Sequence, residues 1–268
     1  MESHSGGTKL RTIFFAMIQK LRFSDHDKEK ISALAIDPAL NADDFFDYTN
    51  VVIKKPWGHE YLISQNNNTA VWLLSIAHGA KTSLHCHPNK KTGLVVLAGN
   101  ACVSSLNESH DIGAGQGFVI EKGAFHSTEA LSPEGIVVME VETPVNKKDL
   151  IRFSDEYGRN GKGYEGKSHH MPLENTMSHF HNEEERYHKP KKFGDCALTI
   201  ARCSDASQLN NLLSQTSADI VSILAGAVYS SEKYVIGEVG DLMNAHELSA
   251  YGDLVFPEEV ELLFIKKE

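Results

Sequence analysis

The chain has no long hydrophobic run, few cysteines and no excess of positive charge, and each of these absences excludes a class of protein. No stretch approaches the roughly 18 consecutive apolar residues that cross a bilayer, so we expect no stable membrane insertion. The formal net charge of -10 at pH 7 argues against nucleic acid as a partner, because binding phosphates needs a concentrated basic surface. The four cysteines show neither CxxC spacing nor the density of a disulfide scaffold, which indicates a cytoplasmic protein.

The N-terminal part of the chain has two features. Residues 9–23 are basic and apolar, but their apolar core is short and no small-x-small cleavage site follows, so we interpret them as an appended segment rather than a signal peptide. Residues 25–35 have the pattern of a short helix, with Ser24 or Asp25 as its N-cap and Pro38 beyond its end. We expect this helix to cover the domain that follows.

Short β-rich segments dominate the chain after residue 48. Stretches such as 70–76, 93–97 and 135–141 recur along the sequence with Gly, Asn or Pro between them. This recurrence is typical of an antiparallel sandwich or barrel. The sequence therefore predicts an all-β fold.

The character of the sequence divides the chain into four regions. A stretch rich in Gly, His, Lys and Glu and poor in aliphatic residues separates two β-rich parts, and it is typical of a linker or wrapping segment. We therefore expect an N-terminal extension with a helix (1–47), a first β domain (48–160), a linker (161–195) and a second β domain (196–268).

The two β domains share a short internal repeat. Val96-Leu-Ala-Gly-Asn-Ala matches Ile223-Leu-Ala-Gly-Ala-Val, and each copy is followed by a glycine-bounded strand that leads to a histidine, His126 or His246. We expect the two halves to be repeats of one fold. No His-x-His stands at the matching place before Ile223, so the second copy would have no metal site and would serve as structure or as an interface.

Three histidines in the first β domain have the spacing of metal ligands. The pair His85-Cys-His87 lies in a stretch bounded by glycines (79–99), and His126 ends a second glycine-bounded stretch (115–126). Alternate residues of an extended strand share one face, so both imidazoles of the pair point the same way. A third imidazole from a neighbouring strand would complete a facial site for a divalent metal.

A second group of histidines lies in the linker. His179, His181 and Glu185 fit the spacing HxH(x)3E, but a polar segment with a proline, residues 186–192, follows them instead of a β-rich run. We interpret this group as part of a surface loop.

The frame around the three histidines resembles the two sequence motifs of the cupins, G(x)5HxH(x)3-4E(x)6G and G(x)5PxG(x)2H(x)3N. Three positions differ, since Thr92 stands in place of the acidic ligand, Glu121 in place of the proline and Ala130 in place of the asparagine. The resemblance implies a cupin jelly-roll barrel and, with the internal repeat, a bicupin whose second barrel is degenerate. Three neutral imidazoles suit Zn, Fe(II), Mn, Ni or Co, among which the sequence does not choose.

Two flanking segments, 54–61 and 149–159, resemble the cupin domain of type II mannose-6-phosphate isomerases, and the resemblance covers about residues 50–165. It implies a sugar-phosphate pocket in which Arg152 is available for substrate. That family shows Gln-x-His-x-His-x-x-Glu-His, whereas here the acid and its neighbouring histidine are absent. The chain also has no glycine-rich nucleotide loop, which argues against sugar-nucleotide synthesis.

The chemistry of a sugar isomerase also needs a base and a site for an anion. Glu140 and Glu142 lie on one predicted strand face, where either could act as the base or replace the missing ligand; alternatively, the two form a rim pair that faces solvent. Lys90, Lys91 and Arg152 are the candidates for binding a phosphate or carboxylate.

We therefore predict a metal-dependent enzyme that isomerises or epimerises a sugar or sugar phosphate through an enediolate, and we expect a homodimer. Two alternatives stay open at this point. One is a non-haem iron dioxygenase that binds its metal through three histidines, and the other is a non-catalytic bicupin that binds carbohydrate.

Overall fold

The computed structural model describes residues 17–34 and 46–268 of the chain. Strands make up most of its regular structure, which confirms the predicted all-β class. None of the helices in these two ranges is long and apolar enough to span a membrane. Most of the basic N-terminal segment and Pro38, both used in the sequence predictions, lie outside the described residues.

The N-terminal extension enters the fold as a strand and a helix. Strand β1 (Ile18–Leu21) pairs in parallel with β9 (Gly117–Ile120) at the edge of the largest sheet. Helix α1 (Asp25–Ala33) begins with a capping box, in which Ser24 caps the helix and Asp27 accepts a hydrogen bond from the Ser24 amide. The predicted helix is confirmed, and Ser24 rather than Asp25 is its N-cap.

The first barrel is built from ten further strands and is extended by one strand from the predicted linker. Their bounds are β2 (Val51–Lys55), β3 (Gly58–Gln65), β4 (Ala70–Ile76), β5 (Leu84–Cys86), β6 (Lys91–Ala98), β7 (Asn100–Ser104), β8 (Ser109–Gly113), β10 (Ser127–Ala130), β11 (Ile136–Thr143), β12 (Ile151–Ser154) and β13 (His170–Pro172).

These strands form a jelly roll. The large sheet has the order β1-β9-β6-β11-β4-β3-β2-β13, the small sheet has the order β10-β7-β8, and β12 pairs with β5. From β6 onward the chain crosses repeatedly between the two sheets, because β7, β8 and β10 belong to the small sheet and β9 and β11 to the large one. Side chains such as Trp72, Leu94, Val96 and Val138 fill the space between the sheets.

The second half contains eight strands and three helices in the described residues. Their bounds are α2 (Glu183–Arg186), β14 (Lys191–Phe193), β15 (Cys196–Cys203), α3 (Ala206–Thr216), β16 (Ile220–Ala225), β17 (Ala227–Ser230), β18 (Val235–Glu238), β19 (Leu242–Asn244), α4 (Ala245–Ala250), β20 (Leu254–Val255) and β21 (Val260–Lys267).

The strand order of the second half repeats that of the first. The sheet β14-β15-β21-β16-β19 corresponds in order to β3-β4-β11-β6-β9, and β18-β17-β20 corresponds to β8-β7-β10. The matching sequences found in the two halves fall at equivalent corners, where Gly99 and Gly226 both have a φ of 78°. A degenerate second cupin barrel stays a prediction, which this common order supports.

Two helices distinguish the second half. Helix α3 lies between β15 and β16, where the first barrel has β5 and the histidine pair His85 and His87, and α4 lies between β19 and β20, where the first barrel has the loop that ends in His126. Leu209 and Leu212 of α3 and Leu248 of α4 are buried in the apolar cluster of the second half. The segments that carry histidines in the first barrel thus correspond in chain order to helices whose leucines are buried in the second half.

The two halves pack large sheet against large sheet. Val95 and Met139 on the outer face of the first sheet share one apolar cluster with Leu198, Leu263 and Ile265 of the second. The predicted linker takes part in this packing, because β13 and β14 extend the two sheets and Phe180 is 1% exposed. The linker is therefore an ordered connection and not a free loop.

Replacing Leu209 by alanine should lower the free energy of unfolding by about 3 kcal/mol, because the side chain is buried in the apolar cluster of the second half and its loss leaves a cavity. Denaturation by urea measures this change. The matched control is Asn210→Ala on the exposed side of the same helix, which should change stability little. Equal effects of the two variants would contradict the burial of Leu209 in this cluster.

Candidate metal centre

Backbone pairing brings the three histidines together at one end of the first barrel. His85 lies on β5, and its amide and carbonyl form hydrogen bonds of 3.0 and 2.8 Å with the carbonyl and amide of His126. His87 follows the same strand, and the carbonyl of His87 accepts from the amide of Gly123, at 2.8 Å, in the loop that leads to His126. The three possible ligand nitrogens lie within 4.8 Å of one another, as the sequence predicted.

A backbone carbonyl sets the tautomer of each ring. Nδ1 of His85 lies 2.7 Å from the oxygen of Ser83, and Nδ1 of His126 lies 3.1 Å from the oxygen of Ala124. Nδ1 of His87 is bonded in the same way to the carbonyl of residue 149. Because a carbonyl only accepts, each Nδ1 carries the proton and each Nε2 keeps its lone pair, which is the arrangement of a histidine that binds a metal.

Burial keeps the rings neutral. It lowers the pKa of His85 and of His87 well below the usual 6.5, and it lowers the pKa of His126 to about 4. The nearby positive charge of Lys90 lowers all three pKa values further. At neutral pH the lone pairs are therefore available.

The donor set fits a divalent metal ion. Nε2 of His87 and Nε2 of His126 are buried and have no hydrogen-bond partner among the described residues. A buried polar atom without a partner is costly unless something else satisfies it. No other group of three His, Cys, Asp or Glu side chains in the described ranges is close enough to hold an ion. The second group of histidines, in the linker, therefore does not form such a site.

An acidic residue lies opposite Thr92, the position at which this chain lacks the acid of the cupin motif. In the ladder between β6 and β11, Thr92 lies directly opposite Glu142, so their side chains share the inner face of the sheet. Glu142 is 2% exposed and forms ion pairs of 3.1 Å with Lys90 and 3.4 Å with Lys147. It does not belong to the group of ligand atoms that the three histidines form.

Glu140 differs from Glu142 in having no partner. It lies two residues earlier on the same face of β11 and is 6% exposed, so the alternative of a rim pair facing solvent is wrong for both glutamates. No hydrogen bond or ion pair joins its carboxyl to any residue that the structure describes. Burial, reinforced by the charges of Glu142 and Glu60, raises the pKa of Glu140 to about 7.

The three predicted anion-binding residues have different positions. Lys90 is 1% exposed and faces the cavity beside the histidines. Lys91 points to the opposite side of the strand, where it pairs with Glu238 at 3.1 Å and Asp241 at 2.9 Å in the second half, so its assignment to the site is corrected. Neighbours in a strand face opposite ways, and only one of two adjacent lysines can enter the barrel.

Arg152 lies at the site, but its guanidinium is already engaged. It is opposite His85 in the pairing of β12 with β5 and lines the cavity. Its Nη1 donates to the carbonyls of Lys162 and Gly163, and its Nη2 pairs with Glu165 at 2.9 Å. Arg152 therefore holds the loop that covers the cavity.

Further charged residues that the sequence analysis missed surround the same cavity. Lys147 lies 3.3 Å from Glu60, and its ammonium lies 3.8 Å from the centre of the Trp72 ring. Tyr164 donates a hydrogen bond to Glu60, and Lys55 pairs with Glu60 at 3.3 Å. Lys55 lies in the flanking segment 54–61, whose resemblance to the isomerase cupin domain was the one available signal.

The cavity is small and predominantly cationic. Five basic side chains and three carboxyl groups line it together with His85 and His87, and its volume is about 50 Å³. The basic residues are Lys55, Lys90, Lys147, Arg152 and Arg159, and the acidic residues are Glu60, Glu140 and Glu142. His126 is 1% exposed and lies behind this lining.

Comparison with known families agrees with the geometry. Residues 44–155 match the family Mannose-6-phosphate isomerase C-terminal. The match covers less than half of the chain and confirms the cupin resemblance of the first barrel. Mannose-1-phosphate guanylyltransferase ManC of Salmonella typhimurium is 28% identical over 109 residues, which are 40% of this chain and 23% of that protein. The chain thus spans about a quarter of the length of such curated relatives.

Solved structures with a similar fold cover only part of the chain. A protein with a double-stranded β-helix domain from Klebsiella pneumoniae matches 36% of this chain and 84% of its own, with 17% identity and a TM-score of 0.33. A cupin-2 domain from Rhodospirillum rubrum matches 39% of this chain and 77% of its own, with 10% identity and a TM-score of 0.34. The family match and the strand order carry the assignment of the cupin fold.

Replacing Glu140 by glutamine should stabilise the protein at pH 8 and not at pH 4. Because the folded-state pKa lies near 7, above the usual 4.5, the folded state binds more protons than the unfolded state between these values. The carboxyl therefore costs stability increasingly as the pH rises through this window, on the order of 3 kcal/mol above pH 7. Denaturant melts at pH 4 and pH 8 measure the difference.

Glu142→Gln is the matched control, since its pairing with lysines lowers the pKa of Glu142. This group stabilises the fold above the unfolded-state pKa and loses that contribution as the pH falls. The glutamine variant should therefore be less stable than the wild type at pH 8, opposite in sign to Glu140→Gln. Effects of the same sign would show that the two carboxyls do not differ in pairing.

Proposed function

We propose that the first barrel binds one divalent metal ion through His85, His87 and His126 and isomerises or epimerises a sugar or sugar phosphate. The observation that carries the proposal is that the three histidine nitrogens lie within 4.8 Å of one another, and that two of these histidines line one cavity together with the unpaired carboxyl of Glu140 and several basic side chains. The family match of residues 44–155 supports the same class of substrate.

The chemistry expected of the metal is to polarise a carbonyl and its adjacent hydroxyl, which acidifies the hydrogen on the carbon between them. Glu140 is suited to act as the base, because a carboxyl with a pKa near 7 is partly ionised at neutral pH and remains a strong enough base. For isomerisation it would take the proton from one carbon and return it to the neighbouring carbon, while the proton of the hydroxyl passes to the former carbonyl oxygen. For epimerisation a water molecule would protonate the same carbon from the opposite face, and Glu140 would give its proton to the hydroxide that remains.

Glu142 has a different part in this proposal. Its lysine partners keep it ionised and hold it in place, so it is less suited to accept a proton. Lys90 lines the cavity together with two of the histidines and pairs with Glu142, and an anionic ligand such as a sugar phosphate or aldonate would bind by sharing this ammonium group.

The loop of residues 155–165 must move for such a ligand to enter. Ligand sites of this kind usually hold roughly 300 Å³ or more, whereas the cavity here has about 50 Å³. Arg159 and Tyr164 of this loop line the cavity, and Arg152 binds its carbonyl groups. Opening would release the guanidinium of Arg152, which could then bind the phosphate through its two parallel donors.

From the proposed metal site we expect each chain to bind one divalent ion. Elemental analysis of the purified protein and titration of the metal-free protein with Zn²⁺ or Mn²⁺ measure this stoichiometry. His126→Ala should weaken binding at least about tenfold, because it removes one of three ligands. The matched control is His179→Ala from the second group of histidines, which should bind as tightly as the wild type. Loss of binding in the control alone would place the metal in the linker.

The reaction predicts exchange of a substrate hydrogen with solvent, which proton NMR in D₂O detects even when net conversion is small. With a panel of aldose and ketose phosphates and the free sugars, the metal-loaded protein should exchange the hydrogen next to the carbonyl of at least one of them. Glu140→Gln should lower the exchange rate at least about a hundredfold while metal binding remains, because the base is lost.

The other outcomes identify the alternative functions. Bound iron together with oxygen consumption in the presence of a substrate would replace the isomerase by a dioxygenase. Thermal stabilisation by a sugar that persists in His85→Ala and His126→Ala, without exchange, would establish carbohydrate binding alone.

A further inference from the structure

The N-terminal segment reaches the metal centre, although it lies outside the part of the chain that matches the family. We infer that residues 17–34 support this centre and that Asp27 is a positioning residue for His126. This inference rests on the proposed metal site. It concerns how this chain holds the third histidine, His126, in position.

The carboxylate of Asp27 binds the backbone next to His126. Asp27 is 4% exposed, and its Oδ1 accepts a hydrogen bond of 2.9 Å from the amide of Phe125. Its Oδ2 accepts from the amide of Ser24 at 2.8 Å and from the hydroxyl of the same residue. The carboxylate thus ties the start of α1 to the peptide that precedes the metal ligand.

The loop that Asp27 binds is connected to the other two histidines as well. The amide of Gly123 donates to the carbonyl of His87, and the backbone of His126 forms two hydrogen bonds with that of His85. A displacement of the loop would therefore change the distances among all three Nε2 atoms. Asp27 binds this loop at Phe125, in the middle of these attachments.

A second anchor lies at the other end of the loop. Glu121, which replaces the proline of the cupin motif, accepts a hydrogen bond of 3.0 Å from the amide of Phe23 and pairs with Lys20 at 3.2 Å. The ring of Phe23 lies against Gly123, where an added Cβ would come within 2.9 Å of it. The departure from the motif therefore has a function here, because a proline would offer no carboxylate to the segment.

Apolar contacts complete the attachment. Ile31 and Leu34 of the N-terminal segment pack against a small buried cluster formed by Cys86, Phe125 and Ile151. Cys86 is the residue between His85 and His87, and Phe125 precedes His126. The N-terminal segment thus contacts both stretches of chain that carry the proposed metal ligands.

The test compares metal affinity in Asp27→Ala, Asp27→Asn and the wild type of the full chain, with Zn²⁺ in competition with a chromophoric chelator. Supporting groups of metal ligands typically change metal affinity by about 10- to 100-fold, so Asp27→Ala should bind Zn²⁺ at least tenfold more weakly. Asp27→Asn keeps one acceptor oxygen for the Phe125 amide and should recover part of the affinity. Asp25→Ala, in the same turn of α1 but without these bonds, is the control that should match the wild type.

Two further readouts separate positioning from general destabilisation. The visible spectrum of the Co²⁺-loaded protein reports ligand geometry and should change in Asp27→Ala but not in Leu209→Ala, which destabilises the remote second half. If Asp27→Ala does not fold, Glu121→Gln, which weakens the second anchor, should still lower Zn²⁺ affinity severalfold.

The outcomes distinguish this inference from the proposed function. A wild-type protein that binds no divalent metal would overturn both the metal site and the role of Asp27. A wild-type protein that binds Zn²⁺, together with an Asp27→Ala variant of equal affinity and an unchanged Co²⁺ spectrum, would overturn the role of Asp27 alone.

Discussion

The first barrel depends on the pairing of ionised side chains that its interior has removed from water. Lys147 lies between Glu60 and Glu142 at 3.3 and 3.4 Å, with its ammonium over the ring of Trp72. Moving such charges out of water costs several kcal/mol each, and only close, well-oriented pairing offsets this cost. The network therefore fixes β3, β11 and the loop after β11 relative to one another. It also leaves Glu140 as the carboxyl without a partner, which is the condition for its raised pKa.

The sequence predicts those parts of the site that depend on local spacing. The pair His85 and His87 shares a face because alternate residues of a strand do so, and the glycine frame places His126 at the turn into a neighbouring strand. The fold class follows from the recurrence of short β-rich segments. The helix that begins after Ser24 is likewise predicted from a local pattern, that of an N-cap residue, and the structure confirms it.

The sequence does not predict which charged residues are buried. Lys55, Lys147 and Tyr164 come from separate parts of the chain, and each would be assigned to solvent from its own neighbourhood. Their burial arises from contacts between distant parts of the chain, such as those of Lys147 with Glu60 and Trp72. Lys90 and Lys91 illustrate the limit: alternation dictates that one of them faces the cavity, and only the tertiary register shows which one.

The second half has a structural use that does not require a site of its own. The outer face of the first large sheet carries Val95, Leu97, Met139 and Val141, an apolar surface that would be unusual if exposed. The large sheet of the second half covers it. Leucine side chains of α3 and α4 are buried in the apolar cluster behind that sheet and support the sheet that supplies the cover.

The departures from the cupin motif are explained by charge as well as by packing. With Thr92 in place of the acid, three neutral imidazoles would leave the full charge of a divalent ion uncompensated by its ligands. Glu142 lies opposite Thr92, but Lys90 and Lys147 already neutralise it. The charge of an ion bound there would therefore have to be balanced by a group other than these residues. The anionic ligand proposed for the cavity would supply that charge, in place of the acid that the cupin motif has at the position of Thr92.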